Sequence, residues 1–233
     1  MKRIAVLIGL IWASHSLAAS TTIAEWDLEN AGNGVVSPLD LANHVTASPI
    51  SHSGVSLLTG SGTEGVLVAR NWATGAVPDP TKYFEFSMTL DPSASATLDA
   101  LSLSLARGNY GGGHGAQTWQ LSASRDGFLT RVDLATLDLS GSAYDEIVVF
   151  GDVDISTLGT VAGTVTFRLY GYDYSSGTQD YSGLAYRNDD LTGQGVNLRI
   201  TGSVGSTSVP VPGAFLLSGL GLCLLGKVRR FGA

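Results

Sequence analysis

Two sets of residues have types and spacings that can do chemistry. Asp152 and Asp154 alternate around Val153, and Asn188, Asp189 and Asp190 stand in a row. Calcium takes roughly six to eight oxygen ligands, often from loops that join strands, so both segments are candidate calcium sites. Neither has the Asp-x-Asp-x-Asp-Gly spacing of a calcium loop, and Asp and Asn also serve as turn caps that face water. Both readings stay open. The second set is aromatic. Tyr172, Tyr174, Tyr181 and Tyr186 crowd one polar stretch, and a sugar ring stacks on an exposed aromatic face while its hydroxyls bond Asp, Asn or Gln. Function concentrates in loops carried by a rigid scaffold, so these four tyrosines are the candidate carbohydrate-binding residues. Tyr170, Tyr172 and Tyr174 share one face if their strand runs that far. Trp119 alternates with Leu121 and Ala123 and reads as core, because large aromatics dominate burial.

Catalysis finds little to work with. His44, His52 and His114 are the histidines of the body, and His114 sits among Gly111, Gly112, Gly113 and Gly115, a poor frame for a base. There is no Gly-x-Ser-x-Gly nucleophile turn and no His-x-x-x-His zinc pair, so neither a supported triad nor a zinc centre is expected. The chain reads as a non-enzyme, with no cofactor beyond the calcium option.

The elements that must position these groups are strands. Residues 66–69, 83–90, 101–106, 118–124, 147–150, 163–172 and 196–204 are the candidates, most of them alternating apolar and polar side chains. Period two over such lengths places one face on a core and one in solvent, the pattern of antiparallel strands. Phe86 and Phe167 fall on inward-reading faces. No body segment keeps helical spacing over three turns; residues 42–45 and 155–158 are at most single turns. Thirty glycines and turn signals such as Arg125-Asp126-Gly127 suit an all-β fold, an antiparallel β-sandwich of two sheets.

The two ends read differently. Lys2 and Arg3 precede an apolar run from Ile4 to Trp12, and Ser16-Leu17-Ala18 offers a small-residue cleavage site, which together predict a signal-peptide helix over residues 1–18 and use of the Sec export machinery. At the other end Val209-Pro210-Val211-Pro212 leads into an uncharged Leu/Gly-rich run and then Lys227, Arg229 and Arg230. That run is shorter than the roughly twenty residues of a comfortable bilayer span, so it predicts a short C-terminal hydrophobic transmembrane helix with its cations held on the cytoplasmic side. Residues 205–208 read as a linker, leaving 19–204 as one domain. With the five terminal cations set aside, eight of the 13 Lys and Arg face all 20 Asp and Glu. That excess of twelve negative charges excludes nucleic acid as a partner, since phosphate binding needs Lys and Arg. The single cysteine, Cys223, lies in the tail, so the body has no disulfide.

The tail's three-part order resembles the PEP-CTERM sorting signal of Gram-negative bacteria, with Val211 where the name-giving tetrad has Glu. The resemblance implies recognition of Val209, Pro210, Val211 and Pro212, with Lys227, Arg229 and Arg230 behind them, by an exosortase-type membrane protease. It implies export through the inner membrane, transient anchoring, and delivery to the cell surface or the extracellular matrix. The body, through Tyr83-Phe84-Glu85-Phe86, Trp119 to Phe128 and Val165 to Tyr172, resembles a jelly-roll-like module of secreted PEP-CTERM proteins, which implies a fold and no activity. The function expected is a structural or interaction role at the cell envelope. The alternative is an exopolysaccharide-binding module.

Overall fold

Alternation dictates which side chains turn inward on a pleated strand, and the chain builds its elements on that rule. The computed structural model describes residues 20–31, 34–59, 65–108, 114–143, 146–174, 181–186 and 193–206. The expected signal helix, the sorting residues from Val209 to Arg230, and Asn188, Asp189 and Asp190 lie outside the described residues. Within them the strands are β1 (Thr21–Trp26), β2 (Pro38–Leu41), β3 (Val45–Ala47), β4 (Ser51–Ser53), β5 (Ser56–Leu57), β6 (Val66–Arg70), β7 (Tyr83–Leu90) and β8 (Ala94–Arg107). There follow β9 (Thr118–Ser124), β10 (Val132–Asp138), β11 (Ile147–Asp154), β12 (Thr160–Val161), β13 (Thr164–Tyr172), β14 (Ser182–Ala185) and β15 (Leu198–Ser206).

Two antiparallel sheets face each other as a β-sandwich. Nine strands form one, in the order β2-β1-β15-β8-β14-β6-β5, with β11 and β12 on the other edge of β8. Six form the second, in the order β10-β9-β13-β7-β3, with β4 also along β7. The chain crosses from one sheet to the other between β6 and β7, between β7 and β8, and between β8 and β9. The sheets are welded by aromatics. Trp26 of β1 meets Phe86 of β7 edge-on at 5.0 Å, and Phe86 stacks on Phe167 of β13 at 5.3 Å. Trp72, from the β6–β7 connection, packs against Trp119 at 4.7 Å and Phe84 at 5.0 Å. Its indole N–H is satisfied by the carbonyls of Ala69 and Ser182. Each such ring removed from water stabilises the fold by about 1.5–3 kcal/mol, and all of these side chains are fully buried. Trp119 belongs to this core.

Several elements depart from the expected strands. β8 runs fourteen residues, more than twice the six expected, because it begins with Ala94-Ser95-Ala96-Thr97, small residues with a weak apolar signal. β14 shows no alternation, since it lies between β8 and β6 with all four residues buried. Gly183 at its centre is required there: a Cβ would stand 2.2 Å from the Leu67 carbonyl oxygen. Gly205 and Ser206, read from the sequence as the start of a linker, are the last residues of β15 and pair with Ser95 and Ala94. The single turn expected at 155–158 is a 3₁₀ turn over Ser156–Leu158. No helix among the described residues is long and apolar enough to cross a membrane.

Candidate functional site

On β13 the residues Val165, Phe167 and Leu169 point into the core, so Thr166, Arg168, Tyr170 and Tyr172 point outward. Register then builds rows across the outer face of the six-stranded sheet. Arg168 lies between Glu85 of β7 and Ser122 of β9, and Ser122 is opposite Asp133 of β10. In the next row Tyr170 lies opposite Gln120, which faces Thr136, and Tyr83 meets Tyr170 edge-on at 5.7 Å. Tyr172, Thr118 and Asp138 form the row after that.

Arg168 is the centre of this face. Its Nε donates to Glu85 Oε2 at 2.7 Å, and its guanidinium carbon lies 3.9 Å from the ring centroids of both Tyr83 and Phe128. A planar cation between two aromatic faces is attracted by both ring quadrupoles. Phe128 arrives from the β9–β10 hairpin, where it follows Gly127 and both are left-handed, at φ 65° and 70°. A left-handed φ costs a non-glycine residue about 1–2 kcal/mol, so the position of Phe128 has to be held by its surroundings. Side-chain hydrogen bonds hold the turn. Ser124 Oγ donates to Asp126 Oδ1 at 2.7 Å and accepts from the Phe128 N–H at 2.9 Å. Asp126 Oδ2 accepts from Thr130 Oγ1 at 2.6 Å, and Asp126 Oδ1 accepts from the Thr130 N–H at 3.0 Å. The hydroxyl of Thr130, then its N–H and the Ser124 hydroxyl, hold the Asp126 carboxyl down at about 2.

The remaining polar groups on the face are pinned in place. Ser122 Oγ donates to Asp133 Oδ1 at 2.7 Å, Thr136 Oγ1 donates to Gln120 Oε1 at 3.1 Å, and Gln120 Nε2 donates to the Ala135 carbonyl at 3.0 Å. Tyr170 is 1 % exposed beneath its neighbours, whereas Tyr83 and Tyr172 are partly exposed. Burial pushes the Tyr172 hydroxyl above the usual phenol range, so at neutral pH it is an O–H that both donates and accepts. The face therefore presents two tyrosine rings on adjacent strands beside a fixed cation, carboxylates and an amide.

The four tyrosines singled out in the sequence do not meet. Tyr172 alone is on this face; Tyr174 is 5 % exposed in the core, and Tyr181 packs beside the second apolar cluster with its ring over Gly108. Tyr186 lines a groove against the nine-stranded sheet. Asp154 accepts from the Ser156 N–H at 2.8 Å just before the 3₁₀ turn, and hydrogen bonds from the Ser156 side chain and backbone lower its carboxyl pKa. Asp152 sits in the β11 irregularity at φ 55°. Among the described residues no three His, Cys, Asp or Glu side chains are grouped closely enough to hold a metal ion. His44 Nδ1 is 3.0 Å from Asp91 Oδ2 on the surface, and His114 Nδ1 is 2.9 Å from Gln117 Nε2. Sequence reasoning missed Tyr83, Glu85, Phe128 and Arg168 as a group. The available signal was a cation between Phe167 and Leu169 in an otherwise uncharged strand.

No protein-family model matches the chain, and no curated protein matches it. Among solved structures, a family 29 carbohydrate-binding module mutant is 15% identical over 83% of this chain and 98% of its own, with a TM-score of 0.37. A mutant complexed with mannohexaose is 14% identical over 81% of this chain and 92% of its own, at 0.35. One complexed with cellulohexaose is 14% identical over 81% and 90%, at 0.34. Superpositions this loose carry no argument about ligand or site.

Proposed function

We propose that this chain is a non-catalytic exported protein whose β-sandwich binds neutral polysaccharide on the outer face of the six-stranded sheet. The observation that carries the reading is the pair of partly exposed rings, Tyr83 and Tyr172, standing on the outer sheet face beside Arg168, Glu85 and Gln120. Sugar rings stack on such faces, and hydroxyls pair with fixed carboxylate, amide and guanidinium groups. Rows of polar and aromatic side chains across β7, β13, β9 and β10 suit an extended chain lying across the strands. The excess of twelve negative charges opposes polyanionic chains, which favours uncharged glycans. The sequence placed a structural matrix role first; this face supports the binding role better. Export by Sec and tail recognition at Val209, Pro210, Val211 and Pro212 by an exosortase-type protease complete the proposal and place the sandwich at the cell surface or in the extracellular matrix.

Affinity electrophoresis tests the binding. The protein is run through gels containing dextran, xyloglucan, galactomannan or polyuronate. Retardation by at least one neutral polymer, lost in Tyr83→Ala and Tyr172→Ala, is expected. Equal mobility in every gel leaves the matrix role and removes the binding one.

A further inference from the structure

On β1 and β15 the residues Glu25 and Arg199 lie opposite each other in register, while their neighbours Trp26 and Leu198 are buried in the core. They therefore face outward from the nine-stranded sheet, on the side of the sandwich away from Tyr83 and Arg168. Between them and Tyr186 is a solvent-open groove of about 240 Å³, lined by Glu25, Tyr186, Gly195, Val196, Asn197 and Arg199.

The groove is built rather than incidental. Asn197 Nδ2 donates to Glu25 Oε1 at 2.8 Å, and Asn197 Oδ1 accepts from the Leu28 and Glu29 N–H groups at 3.0 and 3.3 Å. One carboxylate oxygen of Glu25 is thus held, and the other remains for a ligand. Both backbone polar groups of Tyr186 are tied: its N–H donates to the Gly65 carbonyl at 2.8 Å, and its carbonyl accepts from Gly195 at 2.6 Å. The floor is locked to the sheet, because the Val196 N–H donates to the buried Ser104 Oγ at 2.7 Å. Gly195 leaves no room there, since a Cβ would meet the Ala185 carbonyl oxygen at 2.3 Å. Among the described residues no ion pair closes Arg199 onto Glu25, so both charges are presented to the groove.

We infer that this groove is a second glycan-contacting site that takes one neutral pyranose residue. Its volume is below the roughly 300–1,000 Å³ of pockets that enclose drug-sized ligands, which limits it to about one sugar ring. Tyr186 supplies an apolar ring for the sugar face. Glu25 and Arg199 supply an acceptor and donors for neighbouring hydroxyls, and hydrogen bonds to charged groups are the stronger kind. With sites on opposite faces, one sandwich holds two polysaccharide chains at once. Bridging rests on the sheet-face reading above; the groove itself does not.

Amide NMR of the exported protein, titrated with the methyl glycosides of glucose, mannose and galactose, separates the two. Shifts at Gly195, Val196, Asn197 and Arg199 with at least one glycoside are expected. Arg199→Ala, and Glu25→Gln, which keeps an acceptor for Asn197, should each weaken those shifts by about tenfold or more. Any shifts at Tyr83 and Tyr172 should stay unchanged. Shifts confined to the sheet face, or groove shifts that survive both substitutions, overturn the inference while leaving the first site standing. Shifts confined to the groove keep the inference and leave the sheet-face site to the polymer gels. A spectrum unmoved by all three glycosides overturns the groove.

Discussion

The guanidinium carbon of Arg168 stands 3.9 Å from the ring centroid of Tyr83, on the neighbouring strand. Phe128 covers the other face at the same distance, and Glu85 takes the Nε hydrogen. The side chains of Arg168 and Glu85 are only 19 % and 30 % exposed, so the stack operates in partly desolvated surroundings. Lysine has no planar fork to lie between two rings. Arg168→Lys is therefore expected to cost about 1 kcal/mol, read as a lower urea midpoint at unchanged slope. An unmoved midpoint means the stack adds nothing to stability.

Phe167 is fully buried and stacks on Phe86, which in turn meets Trp26 of the opposite sheet. Phe167→Ala removes a ring at the junction of both sheets and leaves a cavity. The expected loss is about 3–5 kcal/mol. Urea unfolding measures it, and a loss under about 1 kcal/mol would mean that the ring does not fill the core as described.

The hairpin predicts a response to acid. The Asp126 carboxyl has its pKa lowered from 3.8 to about 2 by Thr130 and Ser124. A carboxyl depressed in the folded state contributes stability that is fully present above its unfolded pKa. That contribution fades as the pH falls from about 3.8 through about 2. Asp79, Asp138 and Asp154 are shifted in the same direction. Thermal melts between about pH 5 and pH 2 should show the wild type losing more stability than Asp126→Asn, which has no carboxylate to protonate. Parallel loss in both proteins excludes Asp126 as a contributor.

The tail predicts a mass. If Val209-Pro210-Val211-Pro212 is a protease recognition element, the exported protein lacks most of residues 213–233, and intact-mass spectrometry reports it. Pro210→Ala with Pro212→Ala should leave a membrane-held, uncleaved species, because proline sets the extended backbone that a protease groove reads. Recovery of the native protein in the inner membrane with Ala233 in place replaces the sorting proposal with a plain anchor.

What the sequence determined by itself follows from rules that act over a few residues. Alternation marked β7 and β9 at their full lengths, and β13 within one residue. It also turned Phe86 and Phe167 inward and placed Trp119 in the core. Asp126-Gly127 announced its turn. The tertiary structure alone decided whatever depends on partners far apart in the chain. β14 has no local signature because two neighbouring strands and the core bury it from every side. β1 and β10 contain register shifts that break the period of two. The sites follow the same division. Arg168 and Glu85 are 83 residues apart and meet only through the β7–β13 ladder, and Asn197 reaches Glu25 across 172 residues. The four tyrosines that are close in sequence end apart: β13 stops at Tyr172, Asp173 at φ 54° breaks the alternation and Tyr174 enters the core, while Tyr181 and Tyr186 flank β14 in the other sheet. Period and composition say that a side chain faces outward; register, which only the paired strands set, says what it stands beside.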